Sequence, residues 1–230
     1  MTRSPALFAA ILGAGFLRPA AGAEVAASGA ADFRKAVAAA KPGTIVLLEP
    51  GEYGGGHYFD RVRGEAGRPI VIRAKDPARP PRFRGGGEGL HLSDPAHLEL
   101  RDLVVEASEA NGINIDDGGT FETPAHHIVL AGVVAVERWG RGGSAIDMVG
   151  CHRGEIVACA FRDREDDPAA NAVQTKGGSR EIAIRRCRFE HAGQRAVNIG
   201  GSTGPSKARP SIPFARRSAR AAGLAHGVTL

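Results

Sequence analysis

NAVQTKGGSREIAIRRCRFEHAGQRAVNIGG, residues 171–201, decides the fold. It opens on a short apolar–polar alternation at Val173, Gln174 and Thr175, then turns at Gly177-Gly178. A second alternation follows at Ile182 and Ile184, and a third short run ends at Cys187 and Phe189. After His191-Ala192-Gly193 the first pattern begins again as Ala196-Val197-Asn198-Ile199-Gly200-Gly201. Period-two alternation marks half-buried strands, and glycine pairs mark the turns between them. Three strands, three turns and a restart make one rung of a coiled parallel sheet. Self-similarity of this kind is the mark of a solenoid.

The same rung repeats upstream. The first strand of each rung carries Leu90-His91-Leu92, Ile113-Asn114-Ile115, Ile146-Asp147-Met148, Val173-Gln174-Thr175 and Val197-Asn198-Ile199, at spacings of 23, 33, 27 and 24 residues. A second register runs through Leu100, Leu130, Ile156 and Ile184, at spacings of 30, 26 and 28. Leu103, Val133, Cys159 and Cys187 follow three residues later, and Val105, Ala135, Phe161 and Phe189 two beyond those. Apolar columns on every side of the rung are buried only when neighbouring rungs stack. The unequal lengths are absorbed in loops, notably 117–127 and 162–170. Three cysteines, Cys151, Cys159 and Cys187, fit neither a zinc pattern nor an even disulfide framework. Cys159 and Cys187 read as inward-facing core residues on successive rungs, within disulfide reach of each other.

The two ends read differently. Residues 1–23 combine Arg3, an apolar core from Ala6 to Leu17 and a small-residue site at Ala21-Gly22-Ala23, the layout of an export signal. The apolar core is too short to span a bilayer, so no membrane span is expected after its removal, and the destination is the periplasm or the exterior. Residues 28–43 have helical spacing at Phe33, Ala36, Val37 and Ala40 and end at Pro42-Gly43, which predicts a helix capping the first rung. Residues 202–230 carry three prolines, five basic residues, no acid and no strand alternation. They read as an irregular basic tail, or as a frame in which the rungs have been cut short; a helix left open after Gly201 would expose apolar rung edges and aggregate. The formal charge of +5 belongs to the ends: Arg3, Arg18, Lys207, Arg209, Arg216, Arg217 and Arg220 lie there, leaving −2 on residues 24–201. A near-neutral body lacks the basic face that nucleic-acid binding needs.

The Pro42-Gly43-Thr44-Ile45-Val46-Leu47 start, with Pro50-Gly51-Glu52-Tyr53 after it, the stacked rungs and the export signal resemble right-handed parallel β-helix proteins of the pectate-lyase-like superfamily. The expected fold is all-β, a right-handed parallel β-helix over residues 24–201 with a short N-terminal capping helix. Alternation puts the middle residue of each first strand on the outer surface, giving a polar column of His91, Asn114, Asp147, Gln174 and Asn198, with Asp116 and Lys176 two residues on. A solvated face is polar for its own reasons, and an extended sugar chain fits the same spacing.

The corner at Lys176-Gly177-Gly178 resembles the segment of family 6 polysaccharide lyases, chondroitinase B and alginate lyases, in which a lysine removes the sugar C5 proton. That resemblance implies Lys176 as base, an arginine one rung on, for which Arg195 stands nearest, and a calcium ion held by carboxylates, for which Asp116 and Asp147 are substitutes. The carboxylates expected two and four residues before the lysine are replaced by Gln174 and Ala172. His191, beside Arg195, and Trp139, as a sugar-stacking platform or a cap on an apolar edge, complete the candidate substrate-binding set with His91, Asn114, Gln174 and Asn198. His126-His127 lacks a third metal ligand at useful spacing, and Asp163, Glu165, Asp166 and Asp167 form an acidic loop. The implied function is a polysaccharide lyase acting on an acidic glycan by β-elimination. The alternatives are a non-catalytic carbohydrate-binding β-helix, or a fragment without activity.

Overall fold

The computed structural model describes residues 22–120, 122–136, 139, 142–162, 169–201 and 226–229. Residues 1–21, most of 202–230 and the acidic loop therefore lie outside the described residues. Three parallel sheets form the walls of the expected β-helix, which is all-β apart from one short helix. The six-stranded sheet contains His57–Asp60, Leu90–Ser93, Ile113–Asp116, Ser144–Val149, Asn171–Lys176 and Arg195–Ile199. Each of the first five leads into a strand of the eight-stranded sheet and then one of the five-stranded sheet before the chain returns one rung on.

The columns read from the sequence are the observed registers. Leu100 pairs with Leu130, Leu130 with Ile156 and Ile156 with Ile184 in the eight-stranded sheet. Val105, Ala135, Phe161 and Phe189 align likewise in the five-stranded sheet, and Phe161 and Phe189 stack with centroids 5.0 Å apart. These residues fill the core, in which Leu130, Ile156, Ala135 and Phe161 are fully buried. All three cysteines are free thiols.

Sharp corners come from left-handed backbone. Asp102, Gly132, Ala158 and Arg186, at the same corner of four rungs, have φ of 56°, 63°, 52° and 54°. At 132 a Cβ would lie 2.3 Å from Asp102 Oδ1, so a larger residue there would have to push the Asp102 carboxylate aside. A second column of positive φ, at His97, His127, Arg153 and Glu181, kinks the strands of the eight-stranded sheet.

Helix Gly29–Ala38 closes the first rung as expected, with Phe33, Ala36 and Val37 buried. Phe33 meets Tyr53, His57, Phe59 and Phe83 edge-on at centroid distances of 5.0–6.0 Å. Within the glycine-rich, polar stretch 55–67, His57–Asp60 forms a strand that pairs with Leu90–Ser93. At the other end His226–Thr229, within the tail, pairs in parallel with Arg180–Arg185, so the eight-stranded sheet continues past the last full rung.

One buried charge ties the five-stranded sheet. The Glu106 carboxylate is fully buried between the half-exposed guanidiniums of Arg82 and Arg84, the latter 3.1 Å away. Glu106→Ala leaves two guanidiniums that water can still reach, so the expected loss is about 1–3 kcal/mol, read from the urea midpoint. A change under a few tenths would show that the pair is neutral to stability.

Candidate functional site

The polar column exists in register: Tyr58, His91, Asn114, Asp147, Gln174 and Asn198 pair successively across the six-stranded sheet. It is less open than alternation predicts. Asp147 is 4% and Gln174 9% exposed, whereas His91, Asn114 and Asn198 are half-buried. Gln174 is held from two sides, its Oε1 3.2 Å from Ser144 Oγ and its Nε2 donating to Gly200 O at 3.2 Å. The chain leaving the last strand lies against it, and a Cβ on Gly201 would come within 2.4 Å of Gln174 Nε2.

Lys176 ends its strand and points its amine to Asp147, with Nζ–Oδ2 at 2.8 Å and only 18% of its side chain exposed. Asp116 lies in the Lys176 column, two rungs back, with Val149 between them. Its carboxylate is occupied by His91 Nε2 at 2.7 Å and Ser93 Oγ at 2.8 Å. Glu88 takes the other side of the His91 ring, Nδ1–Oε2 2.8 Å. A histidine gripped by two carboxylates behaves as a cation: hydrogen bonds from Asp116 and then Glu88 push its pKa up to about 9. Burial opposes charge on Asp116, but the bonds from His91, Gly118 and Ser93 outweigh it and hold the carboxyl at about 2. Glu88 is lowered in the same way, burial being overcome by His91 and Asn111.

This cluster makes stability depend on pH in a stated direction. The raised His91 contributes fully below its ordinary value near 6.5 and loses that contribution as pH climbs through about 9. The depressed Asp116 contributes above the ordinary carboxylate range and loses it as pH falls through about 2. With the His91 side chain 25% exposed, the alkaline loss is about 2–3 kcal/mol after solvent screening. The melting midpoint of the folded protein should fall between pH 6.5 and 9, and His91→Asn should flatten that fall; parallel profiles for the two proteins would exclude the cluster as its source.

Three expected site residues are placed elsewhere. Arg195 begins its strand and pairs with Asn171, at the opposite end of the neighbouring strand from Lys176. Five residues of strand, about 16 Å, separate that register from the Lys176 corner, so Arg195 does not assist there. His191 belongs to the same distant turn, whose Gln194 N–H bonds Ala170 O. Trp139 is 1% exposed and part of the core, so no sugar ring can stack on it. Among the described residues the exposed aromatic is Tyr58, 59% accessible at the head of the column and edge-on to His91 at 4.9 Å. It was hidden in the sequence because glycines on both sides of its short strand imitate a loop.

Asp116 and Asp147 do not form a calcium cage. Calcium takes six to eight oxygens; each of these carboxylates is instead bonded to a side-chain cation, and they occupy different columns. Among the described residues, one group of three or more His, Cys, Asp or Glu side chains converges tightly, and it lies elsewhere: His97, His126 and His127.

Helices long and apolar enough to cross a membrane are absent among the described residues. No family model matches the chain, and no curated protein matches it in sequence. Solved structures do. An alginate lyase from Paenibacillus sp. str. FPU-7 superposes with a TM-score of 0.54 at 17% identity, covering 77% of this chain and 72% of that one. The pectate lyase Pel9A superposes with a TM-score of 0.56 at 14% identity, covering 68% of this chain and 41% of that one, so this chain spans less than half its length. At such identities the likeness is one of fold, and function has to come from the site. The chain has the parallel β-helix fold of the pectate-lyase-like proteins.

Proposed function

We propose that this is an exported carbohydrate-active protein that lays an extended acidic polysaccharide along the six-stranded sheet and cleaves it by β-elimination, with Lys176 as the base. The observation that carries the reading is the Lys176–Asp147 pair, at the end of a strand and nearly enclosed, beside a polar column headed by exposed Tyr58. Tyr58 offers an apolar ring face with a polar tip, the chemistry a sugar stacks on. The column continues at about 4.8 Å per rung with His91, Asn114, Gln174 and Asn198 as hydrogen-bonding groups. In the chemical step the neutral Lys176 amine takes the proton from C5, the electron pair forms the C4–C5 double bond, and the C4–O bond breaks. The departing oxygen takes a proton from water.

A second reading, a module that binds the glycan without cutting it, is favoured by one observation. The Lys176 amine is already bonded to Asp147, and Arg195 stands at the far end of the neighbouring strand.

An ultraviolet assay for unsaturated uronate on alginate, pectate, chondroitin and dermatan separates the two. Run with calcium and with chelator, it should give product in both, because Asp116 and Asp147 are neutralised by His91 and Lys176. Product that vanishes in Lys176→Ala supports the lyase. Retention of a glycan by folded protein without product supports the binder.

A further inference from the structure

On a different wall from the polar column, the eight-stranded sheet carries a histidine cluster. In a regular strand neighbouring residues point to opposite faces, so His126-His127 should not converge. The left-handed kink at His127, φ 54°, overrides alternation: both imidazoles lie between buried Ala125 and buried Ile128, with Nδ1 of one 2.8 Å from Nδ1 of the other. The third histidine comes from the previous rung. His97 has the same kink, φ 46°, its ring stacks on His127 at 4.4 Å and lies edge-on to His126 at 5.1 Å. A ligand nitrogen from each of the three falls within 4.8 Å of the other two.

We propose that His97, His126 and His127 form a transition-metal site that cross-links two rungs of the β-helix, with Zn2+ as the natural occupant. Three imidazoles without a carboxylate are a borderline nitrogen set, which suits zinc, copper, nickel or cobalt and not calcium or magnesium. Tetrahedral zinc with nitrogen bonds near 2.0–2.1 Å sets ligand nitrogens about 3.3 Å apart. The His126–His127 contact therefore opens by about half an ångström and His97 tilts out of its stack, movements within reach of half-exposed side chains. Three protein ligands leave the fourth position open. It faces the small pocket of about 160 Å³ lined by Pro124, His152, Arg153 and Arg180 beside the histidines.

The charges around the cluster do not forbid a cation. Arg63 is paired with Asp94, and Arg153 with Glu181 at 3.1 Å. Burial first, then the neighbouring histidines and arginines, lowers the pKa of His126; His127 is lowered by burial, His97 and Arg153. The site is separate from the Lys176 column and independent of any glycan chemistry.

The test is Zn2+ titration of the untagged full chain by calorimetry, with Co2+ as a spectroscopic substitute. One equivalent of Zn2+ should bind, Co2+ should give the intense visible bands of a tetrahedral complex, and the melting midpoint should rise about 5–10 °C at a hundredfold excess over the dissociation constant. His97→Asn and His127→Asn should each weaken binding tenfold or more; asparagine tolerates the left-handed backbone at both positions, so both variants should keep the parent melt without metal. Cys187→Ser should leave uptake unchanged. No stoichiometric uptake by folded protein, or uptake that survives the His97→Asn/His127→Asn double variant, overturns the proposal.

Discussion

Phe33→Ala should lower the unfolding free energy by about 3–5 kcal/mol, a large share of the 5–15 kcal/mol that stabilises an ordinary domain. Phe33 is 1% exposed, and four aromatic rings meet it at 5.0–6.0 Å. Two of those rings are themselves tied down: Tyr53 O–H donates to Ala27 O at 2.7 Å, and His57 Nε2 lies 2.9 Å from Tyr53 O. Held this way, the rings cannot collapse into the vacated space, and the cavity term adds to the lost transfer energy. The helix also covers the first of the described rungs, with Phe33, Ala36 and Val37 buried against it, so loosening it exposes stacked apolar columns. Urea unfolding should show a lower midpoint with an unchanged slope. A loss below about 1 kcal/mol would mean that the helix is not part of the cooperative unit.

The architecture was legible because a solenoid writes each packing column into the sequence several times. Leu100, Leu130, Ile156 and Ile184 could be aligned by eye, and the ladder pairs them in that register. Single features without repetition were not legible. Tyr58 sits in a strand flanked by glycines, and Trp139, one aromatic in a polar stretch, gave no sign that it turns inward. Arg195 is one rung on from Lys176, and the register of Gln174 with Asn198 already places it against Asn171, at the other end of the strands from Lys176. His97 escaped for a different reason. Its partnership with His126-His127 depends on left-handed kinks in two rungs, and nothing in the alternation of Ala96-His97-Leu98 announces one.

For the proposed lyase, Lys176→Ala should cut product formation by about 10²–10⁴-fold, the usual worth of a placed general base. Alanine alone cannot separate base from charge, since it removes the amine, the ion pair and the packing together. Lys176→Arg does. A guanidinium keeps the positive charge and can bond Asp147, yet it does not deprotonate in a protein. If Lys176 acts as base, the arginine variant binds glycan like the parent and is as inactive as alanine. If the lysine only offers charge to a uronate, arginine restores most of the rate and the base lies elsewhere. Asp147 supplies the complementary experiment. Asp147 is 4% exposed and its carboxylate lies 2.8 Å from the amine, so Asp147→Asn removes the charge while keeping an oxygen acceptor for the amine. If the carboxylate positions the base, that variant should lose kcat with KM little changed. A parent-like kcat while Lys176→Ala is inactive would make Asp147 a structural partner of the lysine rather than a positioning residue for the base.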